Sequence, residues 1–222
     1  LDQVKADMET GKVSGTVNHF SMFAVLLSEK GKMPIDEEKQ PTQDIFQPVK
    51  SELEDIANHW AEKLIAQLVA IGAVSGYLDG TFKPDNGITR AEFATMLVKG
   101  FKLESRNGKV FSDTSGHWAQ DSIKIAAAHE IVSGYNETNF GPDDLITREQ
   151  MAVMISKAAR LSGGEGKTFA DNAQIADWAK AAVATASGKN IINGYPDNNF
   201  RPQAHATRAE AVTVIVKALN YC

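Results

Sequence analysis

The stretch Gly76-Tyr77-Leu78-Asp79-Gly80-Thr81-Phe82-Lys83-Pro84-Asp85-Asn86-Gly87-Ile88-Thr89-Arg90-Ala91-Glu92 decides the reading of the chain, because its framework occurs three times. The second copy keeps Gly134-Tyr135, Phe140, Pro142 and Thr147-Arg148; the third keeps Gly194-Tyr195, Phe200, Pro202 and Thr207-Arg208. The three tryptophans, Trp60, Trp118 and Trp178, mark the same period, in steps of 58 and 60 residues. Each tyrosine follows its tryptophan by 17 residues and each arginine follows its tyrosine by 13. Self-similarity at a fixed period is the signature of a repeat architecture. The two additional residues of the second step fall between Arg148 and Trp178, where 161–167 and 171–177 read as loops that tolerate insertion.

Each repeat reads as helix, loop, helix. Trp60, Leu64, Leu68 and Ile71 recur at helical spacing. Gly76 to Gly87 is turn chemistry throughout. A second helix starts at Thr89 and carries Phe93, Met96, Leu97 and Phe101. Repeat two copies this with Ile123, Ala127 and Ile131, then Met151, Met154, Ile155 and Ala158; repeat three closes with Val212, Ile215, Val216 and Leu219. The fold class is therefore mainly α. Ahead of the repeats, 13–25 is rich in strand formers. A lone strand cannot bury its apolar face, so 1–28 reads as the terminal strand of an upstream β-domain. Residues 29–52 read as a linker, and the repeats as 53–110, 111–168 and 169–222.

Composition narrows the function. The chain has 222 residues, 43% hydrophobic and 23% charged, with a formal net charge of −5. No basic stripe is present, which argues against nucleic acid; recognition of an anion must be local, by a few placed cations. The single cysteine, Cys222, allows no internal disulfide. No run approaches the ~18 apolar residues of a membrane span. Leu1 in place of an initiating methionine reads as a processed or excised form. Gly163-Gly164-Glu165-Gly166-Lys167-Thr168 resembles a phosphate loop, but Leu161 stands where the first glycine belongs. The acidic turns at 79–81 and 85–87 lack the order and closing glutamate of an EF-hand. The histidines at 19, 59, 117, 129 and 205 show no metal spacing. No nucleophile constellation occurs, so a non-catalytic chain without metal or cofactor is expected.

Thr89-Arg90-Ala91-Glu92, Thr147-Arg148-Glu149-Gln150 and Thr207-Arg208-Ala209-Glu210 have the spacing of capping boxes. That explains threonine and glutamate but not arginine, whose charge faces the positive end of the helix dipole. Two readings stand. Each arginine clamps a carboxylate of a neighbouring repeat, Asp55, Asp113 or Asp171, or each meets an external anion beside free helix-start N–H groups. The tryptophans are core anchors or flat faces for a sugar ring. Gly76, Gly134 and Gly194 read as turn residues with positive φ, and Tyr77, Tyr135, Tyr195 and the following phenylalanines as core.

These residues resemble the S-layer homology family in its three-repeat form. The likeness rests on Ile88-Thr89-Arg90-Ala91-Glu92, on His59-Trp60 and His117-Trp118, and on the Gly76 to Pro84 framework, and covers about 53–222. It implies a pseudo-threefold domain: a central three-helix bundle with three prongs and grooves between them. It implies non-covalent anchoring of an exported protein at the bacterial cell surface, through secondary cell-wall polysaccharide carrying an anionic, pyruvylated amino sugar. The arginines Arg90, Arg148 and Arg208 would meet the ketal carboxylate. The walls would include Trp60, Trp118 and Trp178, with Ser75-Gly76, Ser133-Gly134 and Asn193-Gly194. A self-assembly module of a surface layer, pairing with other subunits, and the non-catalytic tail of a secreted glycan-degrading enzyme are the other readings; in isolation a monomer is expected. Glu149-Gln150, Asp177-Trp178 and Asn193 depart from the pattern, so the three grooves are expected to differ, most of all the groove that relies on the loop of repeat three.

Overall fold

The computed structural model describes residues 4–7, 12–15, 53–163 and 165–221. The chain divides into two units, Leu1–Pro48 and Val49–Cys222. In the first, β1 (Val4–Asp7) pairs antiparallel with β2 (Lys12–Gly15). β2 overlaps the start of the expected strand at 13–25; β1, its partner, has no counterpart in the sequence reading. The rest of that strand and the linker at 29–52 lie outside the described residues.

The second unit holds six helices among its described residues: α1 (Glu62–Ala70), α2 (Arg90–Gly100), α3 (Gln120–Ala128), α4 (Arg148–Ala158), α5 (Asp177–Gly188) and α6 (Arg208–Leu219). The second helices of the repeats, α2, α4 and α6, pack on one another pairwise and form the central bundle. They are buried on most faces, α2 through Ala91, Phe93, Ala94, Met96, Leu97, Val98 and Gly100. The first helices bury one side only, as Ile65 and Leu68 of α1 or Ile123 and Ala126 of α3 show.

Pairing crosses the repeat boundaries. α3 packs on α2, α5 on α4 and α1 on α6, so the chain closes into a ring whose last helix receives its first. A triangle of backbone hydrogen bonds joins the three helix entries: Ile88 N–H donates to Ala206 O, Ala206 N–H to Ile146 O, and Ile146 N–H to Ile88 O, each at 3.0 Å. Short antiparallel bridges at Gly87–Thr207, Thr89–Leu145 and Thr147–His205 extend this junction. The pseudo-threefold helical architecture is thus as expected.

All three capping boxes form. Thr89, Thr147 and Thr207 accept from the N–H of Glu92, Gln150 and Glu210, whose side chains accept in return from the threonine N–H. Several side-chain readings need correction. The stripe on α1 is rotated: Ala61, Ile65 and Leu68 are buried, whereas Trp60 and Ile71 are exposed. Phe82, Phe140 and Phe200 are fully buried, but Tyr77 and Tyr135 are exposed and Tyr195 half-buried. Gly76, Gly134 and Gly194 do not have positive φ. They are small because a Cβ on Gly134 would lie 2.5 Å from Asn139 O and from Phe111 Cε1, and one on Gly194 2.6 Å from Phe169 Cε1. The left-handed position of the loop is instead Lys83, Gly141 and Arg201, with φ of 57°, 71° and 56°.

Candidate functional site

The arginines occupy the first turn of the bundle helices, where three separate anchors fix them. The first is backbone: Arg90 N–H donates to Asp144 O and Ala91 N–H to Pro142 O, with the same pattern for Arg148 and Glu149 on repeat three and Arg208 and Ala209 on repeat one. The helix-start N–H groups are therefore consumed by the next repeat's loop, and the expected free anion-binding N–H groups are not there. The second is the guanidinium Nε, which donates to Phe140 O from Arg90, to Phe200 O from Arg148 and to Phe82 O from Arg208, at 2.8–3.0 Å. The third is aromatic: the guanidiniums of Arg90, Arg148 and Arg208 lie 4.6–4.7 Å from the ring centroids of Tyr135, Tyr195 and Tyr77, within cation–π range.

Asp55, Asp113 and Asp171 are not the arginine partners. Each accepts two backbone N–H groups across the loop, from Phe82 and Lys83, Phe140 and Gly141, or Phe200 and Arg201, at 2.6–2.9 Å. These bonds pin the left-handed residue. For Asp113, burial pushes the carboxyl up, but the N–H groups of Gly141 and Phe140 and the nearby Arg90 charge outweigh it and hold it below its ordinary value.

The carboxylates that do meet arginines are the capping glutamates of another repeat. Arg148 Nη1 donates to Glu210 Oε1 and Arg208 Nη1 to Glu92 Oε1, both at 2.8 Å. The matching position for Arg90 is Gln150, which carries no charge, and Arg90 makes no ion pair among the described residues. Relative exposures of 5%, 3% and 4% for Arg90, Arg148 and Arg208 show that only an edge of each reaches the surface. Burial pulls the Arg90 pKa below its ordinary value, against the pull of Tyr135, Asp144 and Asp113. Burial likewise raises the phenols of Tyr77, Tyr135 and Tyr195.

Two grooves are described. One, of about 220 Å3, brings Trp118 to Arg208, Glu92, Lys99 and the Ser75-Gly76-Tyr77 turn. The other, of about 230 Å3, brings Trp178 to Arg90, Gln150, Lys157 and Ser133-Gly134-Tyr135. Each thus joins the tryptophan of one repeat to the turn of the repeat before it. Both fall below the ~300–1,000 Å3 of clefts for drug-sized ligands and have room for one small group. The tryptophans are 63%, 65% and 59% exposed in chain order, so they are not the core anchors that one of the two readings made them. The remaining expected residues, Trp60, Arg148, Asn193 and Gly194, keep the same register; there Arg148 Nη2 donates to Asn193 O, and Lys167 Nζ donates to the side-chain oxygens of Asn190 and Asn193.

Sequence reasoning missed two positioning roles. His59 and His117 accept from the N–H of Ala61 and Ala119 through Nδ1, and their Nε2 atoms contact Asp85 and Asp143 at 3.2 Å. They brace the turns that enter α1 and α3 and lie beside the tryptophan rings; the His-Trp doublet was the signal. In repeat three Asp177 replaces histidine, and α5 starts one turn earlier. Buried Glu149 compensates there, accepting from Ala176 N–H at 3.0 Å and from Gln203 Nε2 at 2.6 Å. Among the described residues no cluster of three His, Cys, Asp or Glu side chains could hold a metal, and no helix is long and apolar enough to cross a membrane.

Three cyclically interlocked helix pairs, with exposed Trp118 and Trp178 on two inter-repeat grooves, define a helical repeat module. The S-layer homology domain model matches residues 52–94, 110–152 and 168–212, and the chain belongs to that family. It is 31% identical to an amylopullulanase of Thermoanaerobacterium thermosulfurigenes over 97% of this chain and 11% of that protein. It is 36% identical to a cellulosome-anchoring protein of Acetivibrio thermocellus over 66% of this chain and 35% of that one. It is 30% identical to the surface-layer 125 kDa protein of Lysinibacillus sphaericus over 72% of this chain and 14% of that one. The chain thus spans 11–35% of the length of these relatives. Family and relatives together identify a cell-surface anchoring module, non-catalytic in itself and extracellular in location.

Proposed function

We propose that this module holds an exported protein on the bacterial cell wall by binding secondary cell-wall polysaccharide in its inter-repeat grooves, through a pyruvylated, anionic sugar. The observation that carries the reading is the composition of the two described grooves. Each sets an exposed tryptophan, suited to a sugar face, opposite an arginine edge and a glycine turn that brings backbone close. The residues assigned to contact are Arg90, Arg148, Arg208, Trp60, Trp118, Trp178, Ser75, Gly76, Ser133, Gly134, Asn193 and Gly194. One arginine–carboxylate contact contributes about 1.5–3 kcal/mol, too little to retain a protein alone; engagement of a second groove raises avidity through effective concentration.

Residues 29–52 would then act as the linker from an upstream domain ending at 1–28. The match to the amylopullulanase over 11% of its length favours a tail of a glycan-degrading enzyme as one setting for the module. The test is co-sedimentation with purified wall polysaccharide, before and after removal of pyruvyl groups, for the parent chain and the Trp118→Ala/Trp178→Ala double variant. Retention is expected to fall on depyruvylation and in the variant. Retention unchanged by both overturns the reading.

A further inference from the structure

We propose that Gln150 makes the Arg90 groove the acid-selective one of the two described grooves, while the Arg208 groove, whose arginine is paired with Glu92, takes uncharged sugar comparably well. This assignment deepens the carbohydrate reading and rests on it.

The two grooves have the same plan and differ in charge. The Arg208 groove is lined by two cations, Arg208 and Lys99, and one carboxylate, Glu92. The Arg90 groove is lined by two cations, Arg90 and Lys157, and no carboxylate. The nearest acids are not part of its lining: Asp113 has its oxygens committed to the N–H groups of Phe140 and Gly141, and Asp144, exposed, acts on Arg90 and on the Tyr135 hydroxyl from the rim.

The capping box explains why one substitution has this effect. In Glu92, Oε2 accepts from Thr89 N–H, while Oε1 faces the groove and accepts from Arg208 Nη1 and the Tyr77 hydroxyl. In Gln150, Oε1 is the atom that accepts from Thr147 N–H. The amide –NH2 is then left on the groove side, so a donor stands where Glu92 presents an acceptor. Arg90 spends Nε on Phe140 O and Nη2 on Ser133 O, leaving Nη1 unbonded. Thr95 Oγ1 is the only buried side-chain polar atom without a partner among the described residues. Nη1 is therefore not sealed off, and Arg90 lines the groove. A guanidinium edge, an amide donor and a lysine around one small cavity suit a carboxylate on a sugar ring. In the Arg208 groove an incoming carboxylate would face Glu92, a like charge that disfavours it.

The experiment is an NMR titration of the full chain with two probes: the methyl glycoside of a pyruvate-ketal amino sugar, and the same glycoside without the ketal. Amides of Ser133 and Gly134 report one groove, those of Ser75 and Gly76 the other. The acidic glycoside is expected to bind the Ser133–Gly134 groove about tenfold more tightly than the Ser75–Gly76 groove. Gln150→Glu should remove that advantage and Glu92→Gln should create it in the other groove, with the ketal-free sugar little affected. Both exchanges keep a side-chain oxygen for the threonine N–H, so the amide spectrum verifies the fold. Equal acid preference in the two grooves, or no response to Gln150→Glu, overturns the proposal and leaves the carbohydrate reading standing. Sodium pyruvate alone separates the two ideas. If neither glycoside binds but pyruvate shifts Gly134 in the parent and less in Gln150→Glu, the carbohydrate reading fails and the charge assignment holds. No response of Gly134 to pyruvate or to either glycoside overturns the charge assignment.

Discussion

At the scale of single residues, arginine at the head of a helix opposes the dipole by a few tenths of a kcal/mol, and the ring structure more than offsets this. Each of Arg90, Arg148 and Arg208 ties a bundle helix to a loop at least 45 residues away in sequence, through a carbonyl oxygen and an aromatic ring. The threonines and their glutamate or glutamine partners were readable, because a capping box lies within four residues. The arginine partners were not, since nothing in a local window says which repeat will face which. Glycine shows the same limit. The framework marked Gly134 as special, but its reason is crowding by Asn139 and Phe111 rather than φ. Gly134→Ala is therefore expected to destabilise by about 1–3 kcal/mol, as overpacking does. A urea midpoint unchanged from the parent would contradict that cause.

At the scale of elements, helix positions and the buried side of the bundle helices were legible, whereas the phase of α1 was not. Trp60 and Ile71 fit a three-to-four spacing, yet the buried side of α1 runs through Ala61, Ile65 and Leu68. Apolar residues on a short helix define a face only when large exposed side chains can be recognised as such, and an exposed tryptophan imitates a core residue. The extra turn of α5 was invisible too, because its support comes from the preceding repeat. Glu149 is 3% exposed and holds Ala176 N–H at the start of that helix. Glu149→Ala leaves Ala176 N–H and Gln203 without their acceptor. A loss of about 1–3 kcal/mol is expected from the unmet bonds, with faster hydrogen exchange at Ala176 and little change at Ala61 or Ala119. Uniform loosening of all three first helices would show that Glu149 acts on the fold as a whole.

At the scale of the molecule, three repeats and a helical class followed from periodicity alone, while the exchange of helices between repeats did not. Every prong pairs a helix of one repeat with a helix of another, and α1 completes the set by docking on α6. Sequence order therefore matters less than cyclic order. A permuted chain, with Tyr221 joined to Leu53 by a short glycine-serine linker and opened between exposed Ser105 and Arg106, is expected to fold with a melting temperature within a few degrees of the parent unit. Failure of that chain to fold would mean that the closure of α1 on α6 depends on the original connectivity.

The triangle formed by Ile88, Ile146 and Ala206 also fixes how many copies this architecture accepts. A polygon of backbone bonds with three vertices is complete: duplicating one more copy within the chain adds a segment with no vertex to occupy. Growth in copy number must then proceed by whole triplets, each a separate bead on the chain, and a gain of a single copy would leave a helix pair seeking a neighbour in another molecule.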